Sequence, residues 1–360
     1  YRLLHAGAGK SLKDFNDQSI MADIAALSAT APGIGTEAMP LAPEQPVCFS
    51  DTRMQNIPPP PQFLGTIHDE WRISSFSSLT AHGDRLPQPR DVDALQQTDS
   101  KEIDSGQISS VPGIFDFPRG AQAGTCLHEL FEKLDYANAA HEPMEALARQ
   151  SLQRNGFDTE WLPVITGMAT HVLQAPLLLE DRQFCLNRLK PSSWVTEMEF
   201  YLPLEQISAS RLKAAFDGQL SMAKHGCFPE LLASLHIQES RGMLTGFIDM
   251  VFEHQGRYYI VDWKSNHLGS TPACYGEAGL REAICANAYT LQYHLYTLAL
   301  DRLLASRIPG YDYDKHFGGA IYVFLRGVDA CGGRTGIYRD RPTSAFIRNA
   351  HQLLFSPSAC

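Results

Sequence analysis

Two carboxylates and one ammonium, Asp249, Asp262 and Lys264, lie in the stretch of this sequence whose local pattern fixes their mutual geometry. Residues 243–263 form two runs rich in β-branched and aromatic side chains around Gln255-Gly256, the pattern of a hairpin closed by a two-residue loop. Pairing His254 with Arg257 sets Asp249 directly opposite Asp262, with Cβ atoms about 5 Å apart on one face. The flanks Phe247, Ile248, Met250, Ile260, Val261 and Trp263 predict that the hairpin is buried. Two carboxylates so placed must share a proton or bind a cation, and a hard divalent ion with oxygen ligands is the simplest resolution. Lys264, two residues beyond Asp262, falls on the same face if the strand continues. An ammonium beside a carboxylate-held metal can hold an attacking water or stabilise charge on a phosphate, so the set predicts metal-assisted phosphodiester hydrolysis. A one-residue slip of register would instead make the three a surface salt-bridge cluster.

The elements around this hairpin are legible from Gly120 onward. Residues 124–136 read as an amphipathic helix with Leu127, Leu130, Phe131 and Leu134 on one face. Further helices are predicted over 142–154 and 159–174, a strand over 194–202, a long helix over 277–306 and a strand over 319–325. Helix, hairpin, helix and strand in that order give an α/β domain with a mixed sheet. The first third of the chain is patterned poorly. It offers helical spacing over 10–29, a Pro-rich connector over 31–61, a strand or turn island at 71–76, and a polar, acidic linker over 82–120. Ala6 to Ser11 looks like a phosphate loop, but its first glycine would fall at Leu4 and no apolar strand precedes it.

Composition removes several classes. With 360 residues, 44% apolar and 19% charged, the chain is neither disordered nor fibrous, and its length is a soft prior for two domains. No apolar stretch reaches the ~18 residues of a membrane helix. The start at Tyr1 shows no leader pattern and suggests a fragment of a longer protein. Eight scattered cysteines without a C-x-x-C predict free thiols in a reducing cytoplasm, not a zinc ribbon or iron–sulfur cluster. The net charge of −10 excludes a wholly basic nucleic-acid surface. Residues 302–348 nonetheless carry eight basic and four acidic side chains, either a local groove or an ordinary solvated face.

Gly246-Phe-Ile-Asp249 followed by Val261-Asp-Trp-Lys-Ser265 resembles the signature of the PD-(D/E)XK nuclease superfamily. Gly124-Thr-Cys-Leu-His128 resembles the G-T-x-x-H helix of its RecB-type nucleases, and Gln292 with Tyr296 fits their Q-x-x-x-Y motif. Over about 115–345 the chain is similar to the C-terminal nuclease domain of the exonuclease V beta (RecB) family. The resemblance implies a restriction-endonuclease-like core, a central mixed β-sheet flanked by helices, spanning 116–360. Residues 1–115 would then be the tail of a helicase portion plus linkers. It further implies that His128, Asp249 and Asp262 ligate Mg²⁺, with Mn²⁺ or Ca²⁺ able to replace it, and that the main-chain carbonyl of Trp263 is a further ligand. Lys264 would be the catalytic lysine, and Glu197 an additional acidic residue with Glu199 competing for that role. Gln292 and Tyr296, stacked on one helix face, would position the DNA strand. The implied partners are unwound single strands, guided by tyrosines and basic residues of 302–348, and RecC-like and RecD-like subunits. The implied setting is double-strand-break repair and recombination. A non-catalytic module that recruits the RecA recombinase is the alternative.

Overall fold

The structure, a computed structural model, describes residues 25, 29, 71–75, 112–139, 141–216, 240–329 and 335–355. The chain divides into two compact units, Tyr1–Ile67 and His68–Cys360. In the first, Ala25 and Ala29 are helical and exposed; the remainder of the expected 10–29 helix, the Ala6–Ser11 segment and the Pro-rich connector lie outside the described residues. So does most of the expected 82–120 linker.

The elements of the second unit, in chain order, are β1 (Trp71–Ser75), α1 (Ala121–Lys133), α2 (His141–Arg154), α3 (Leu162–Gln174), β2 (Trp194–Ile207), α4 (Ala209–Phe216), β3 (Ser240–His254), β4 (Arg257–Lys264), α5 (Glu277–Ala286), α6 (Tyr289–Arg307), α7 (Tyr313–His316), β5 (Phe317–Phe324), β6 (Ile337–Asp340) and α8 (Ser344–Ala350). The strands form one mixed six-stranded sheet. β4 and β5 run parallel, as do β1 and β3, whereas β2–β3, β3–β4 and β5–β6 are antiparallel. The sheet separates two apolar layers. One is filled by Phe216, Leu280, Leu291 and Phe346 of α4, α5, α6 and α8; the other by Leu127, Leu152 and Val172 of α1, α2 and α3. The expected restriction-endonuclease-like α/β architecture is therefore the one observed.

Two local expectations need correction, and one open alternative is decided. The predicted 277–306 helix is two helices, because Ala288 adopts a left-handed conformation (φ 56°) that no continuous α-helix accommodates. α6 then runs through the middle of one layer, buried nearly all round, so its Tyr289, Tyr293 and His294 are core residues. The 71–76 island is β1, so the sheet draws on a segment far upstream of residue 116. Finally, Cys285 is disulfide-bonded while Cys126, Cys185 and Cys274 are free; sequence spacing carries no trace of a pairing set by tertiary proximity. No helix among the described residues is long and apolar enough to cross a membrane.

Candidate active site at the fork of β3 and β4

The hairpin closes as its residues dictate. Gln255 and Gly256 both take positive φ (51° and 77°), the two-residue turn whose twist matches the flanking strands. The ladder runs from His254–Arg257 to Met250–Val261 in the expected register, and there it stops. Asp249 and Asp262, next in line, form no further ladder pair. Instead the Trp263 N–H donates to Asp249 Oδ2 at 2.7 Å, a side chain standing where a backbone carbonyl would be.

The reason lies in the face that each strand presents. On β3, Leu244 and Ile248 pack into the layer of α6, whereas Met250 and Phe252 pack into the layer of α1. On β2, Met198, Phe200 and Leu202 face the α6 layer, whereas Trp194 packs on the α1 side and Thr196 Oγ1 donates to the Glu132 carbonyl of α1. Regular strands keep residues of one parity on one face. Both strands therefore switch faces at one step, across Glu197 on β2 and Asp249 on β3. The pairing skips these two residues, and Glu197 absorbs the switch at φ 50°, a conformation costly for a non-glycine residue. Such strain gathers at functional sites, and Asp249 lies at the step between the two layers.

Around that step the structure brings most of the sequence-predicted residues together. From α1, His128 Nδ1 lies 3.6 Å from Asp249 Oδ2, while its Nε2 is buried without a hydrogen-bond partner. α1 comes this close because Gly124 has no side chain: a Cβ there would lie 3.1 Å from Ser265 Oγ, just past the end of β4. From β4, Asp262 and Lys264 are each 2% exposed and form an ion pair of 2.7 Å. The Lys264 ammonium also donates to Gln292 Oε1 (3.2 Å) and lies 4.0 Å from the centre of the Tyr289 ring. Gln292 Oε1 accepts a second bond from the Tyr322 hydroxyl of β5 (2.8 Å), and Gln292 Nε2 donates to Tyr296 (3.1 Å). Gly246 allows this packing, since a Cβ there would meet the Phe200 ring at 2.8 Å and Tyr296 at 3.7 Å. The field of the carboxylates is felt on both sides of the sheet. Burial, then the charges of Asp262 and Asp249, push the Tyr296 phenol up from its ordinary pKa, and burial followed by Asp249 does the same to Tyr136.

Glu199, the competitor of Glu197, is exposed and accepts a hydrogen bond from Tyr201 at 2.7 Å. Phe247 departs from the buried hairpin flank that its apolar character predicts: it is 40% exposed, whereas Ile248, Met250, Ile260, Val261 and Trp263 are buried. Within the basic window 302–348, Arg307, Lys315 and Arg348 are exposed, whereas three arginines are engaged by main-chain carbonyls. Arg326 is 3% exposed and donates to the carbonyls of Ser265, Ile114, Phe117 and Pro118, tying the approach to α1 onto the end of β4. Burial lowers its pKa to about 10. Arg339 donates to the carbonyls of Pro176 and Leu177, and Arg341 to those of Phe317 and Tyr313. Sequence reasoning missed Arg326, whose only trace is an arginine immediately after an apolar strand.

The donor set fits a divalent cation. An imidazole nitrogen is buried with no partner, Asp249 lies beside that ring, Asp262 follows the last ladder pair on β4, and the Trp263 carbonyl lies on the same strand edge as its N–H. Among the described residues no three His, Cys, Asp or Glu side chains are drawn into a closed cage. Asp262 pairs with Lys264, and Asp249 accepts from the Trp263 amide.

A mixed sheet of this topology with an Asp…Asp-x-Lys set on the β3–β4 hairpin defines a nuclease core. Residues 107–351 match the PD-(D/E)XK nuclease superfamily, and the chain belongs to that superfamily, whose members use divalent metal ions. Among curated proteins it is similar to the RecBCD enzyme subunit RecB of Escherichia coli (strain K12), 42% identical over 286 residues, covering 78% of this chain and 23% of that protein. It is similar also to RecB of Haemophilus influenzae, 34% identical over 298 residues (79% and 24%), and of Mycobacterium tuberculosis, 29% identical over 314 residues (80% and 28%). The chain spans about a quarter of the length of these relatives.

Proposed function

We propose that the domain hydrolyses phosphodiester bonds of single-stranded DNA with Mg²⁺, as the nuclease part of a helicase-nuclease acting in double-strand-break repair and recombination. The observation that carries this reading is the convergence of His128, Asp249, Asp262 and Lys264 where β3 and β4 part. His128 Nε2, the two carboxylates and the Trp263 carbonyl would hold the cation. When bound, it would supply a Lewis acid for the phosphate and for the attacking water.

The chain's own residues do the rest. Lys264 is immobilised by Asp262, Gln292 and the Tyr289 ring, so its ammonium is oriented before substrate arrives. It donates to a phosphate oxygen or to the water as charge builds in the transition state. Gln292 fixes the ammonium from the far side and is itself fixed by Tyr322. Tyr296, held neutral by burial and by the nearby carboxylates, accepts from Gln292 Nε2 and braces that amide against the lysine. RecC-like and RecD-like subunits are the expected partners of the longer protein, by analogy with the assembly for which its relatives are named.

The test is cleavage of single-stranded DNA by Asp262→Asn and Lys264→Gln, near-isosteric changes whose folding is checked by thermal melts. A loss of about 100-fold or more is expected for each, the scale of removing a preorganised electrostatic group. Parent-like rates in both would refute the mechanism. Pull-down of a RecA recombinase with parent and Asp262→Asn separates the alternative, since a docking module would bind equally well and cut in neither form.

A further inference from the structure

The face switch at Glu197 and Asp249 leaves half of one sheet face without a covering helix among the described residues. On the α1 side, helices cover Trp194, Met250, Phe252, Tyr259, Val261 and Trp263. Beyond the switch the residues turned to that side are Glu199 and Tyr201 on β2 and Thr245 and Phe247 on β3, paired as Glu199–Phe247 and Tyr201–Thr245. Tyr201 is 56% exposed and Phe247 40%. Two large rings thus stand in solvent on neighbouring strands, and Phe247 is two residues, about 7 Å along the strand, from Asp249. The boundary between the covered and open halves of this face is the fork itself.

We propose that Phe247 and Tyr201 form a base-stacking platform for the nucleotides next to the phosphate that enters the fork. This rests on the nuclease reading and names how its substrate is held. The charge pattern selects bases over backbone. Glu199 lies beside both rings and is held by the Tyr201 hydroxyl, so a phosphate is repelled from this face while an uncharged base is not. An unpaired strand has its base faces free to stack and a duplex does not, so the platform selects single-stranded substrate. It is also sequence-tolerant, because every base offers a π face.

The experiment uses the full chain, a short single-stranded oligonucleotide containing the fluorescent base 2-aminopurine, and the variants Phe247→Ala, Tyr201→Ala, their double and Phe247→Trp. Both side chains are exposed, so melts should match the parent. In Ca²⁺, the parent should quench 2-aminopurine by stacking. The double variant should bind about tenfold or more weakly and lose the quench, and Phe247→Trp should keep both. In Mg²⁺, cleavage at trace DNA should fall further than cleavage at saturating DNA. Equal affinity and quenching in parent and double variant would overturn the platform while leaving the nuclease reading intact. Loss of binding to partner subunits with DNA binding unchanged would also overturn it, assigning the face to protein. If the parent fails to cut in Mg²⁺ yet quenches through its rings, the nuclease reading falls and the platform stands.

Discussion

Replacing Arg326 with methionine should cost this domain a large part of its stability, although the residue lies outside every recognisable motif. The side chain of methionine fills much of the space but donates nothing. Four main-chain carbonyls, those of Ser265, Ile114, Phe117 and Pro118, lose their donor. Hydrogen bonds to a charged donor contribute about 1.5–3 kcal/mol each, or roughly 6–12 kcal/mol for the set before non-additivity. Against this stands the cost of burying the guanidinium. A pKa lowered by burial to about 10 corresponds to about 3 kcal/mol of disfavoured charge. The net expectation is a loss of about 3–9 kcal/mol, a substantial fraction of what holds a domain folded. Urea denaturation measures it: the midpoint should fall with the slope unchanged. Arg326→Lys, which keeps the charge but cannot reach four carbonyls at once, should lie between the two. A methionine variant within about 1 kcal/mol of the parent would refute the reasoning, because hydrogen bonds to a charged donor are not that weak.

Two more outcomes are expected of the site and its surroundings. Tyr322→Phe removes the hydroxyl that donates to Gln292 Oε1; one hydrogen bond of about 0.5–1.5 kcal/mol predicts a fall in kcat of about 2–12-fold with little change in KM, and an unchanged kcat would remove Tyr322 from the positioning chain. His267 has a pKa lowered from 6.5 to about 4, by burial first and then by the charges of Arg119 and Arg326; Arg119 also donates to its Nε2 at 3.2 Å. The unfolded chain then binds more protons between these two values, so the stabilising contribution is complete above about pH 6.5 and is lost as the pH falls toward 4. An NMR titration should find His267 neutral at pH 5.5, and His267→Gln should flatten the stability profile over that window; a midpoint near 6.5 would contradict it.

The parts of the site that were legible in sequence are those governed by strict local periods. Turn chemistry at Gln255-Gly256 fixed the register of β3 against β4, and the helical period put Gln292 under Tyr296 and the apolar stripe of α1 on the sheet. What was not legible depends on a period being broken. Residues 194–196 and 198–202 each alternate regularly, so nothing in the string marks Glu197 as the residue where the faces exchange. Phe247 reads as core for the same reason, because its neighbours Ile248 and Met250 are core on opposite faces. Ala288 is the best helix former at a helix break. The arginines of 302–348 illustrate a different gap: charge counts do not reveal whether a guanidinium meets water or main-chain carbonyls.

The edge of β3 gives a physical reason for the proposed cation site to lie at this step and not elsewhere on the hairpin. β2 occupies one edge of β3 from Ser240 to Phe252, so β1 and β4 must share the other, β1 along Arg241–Thr245 and β4 along Met250–His254. Between Thr245 and Met250 that edge has no strand partner among the described residues. Backbone groups at such a gap still need partners once water is excluded. Asp249 answers for the N–H of Trp263, but a carboxylate cannot answer for a carbonyl. The gap therefore gathers the Trp263 carbonyl, the two aspartates and the imidazole of His128. Lys264 pairs with Asp262, and a dication of the kind proposed above is a partner able to satisfy several oxygens at once. The break in the ladder and the chemistry proposed for it thus have one cause: a strand edge claimed from two ends.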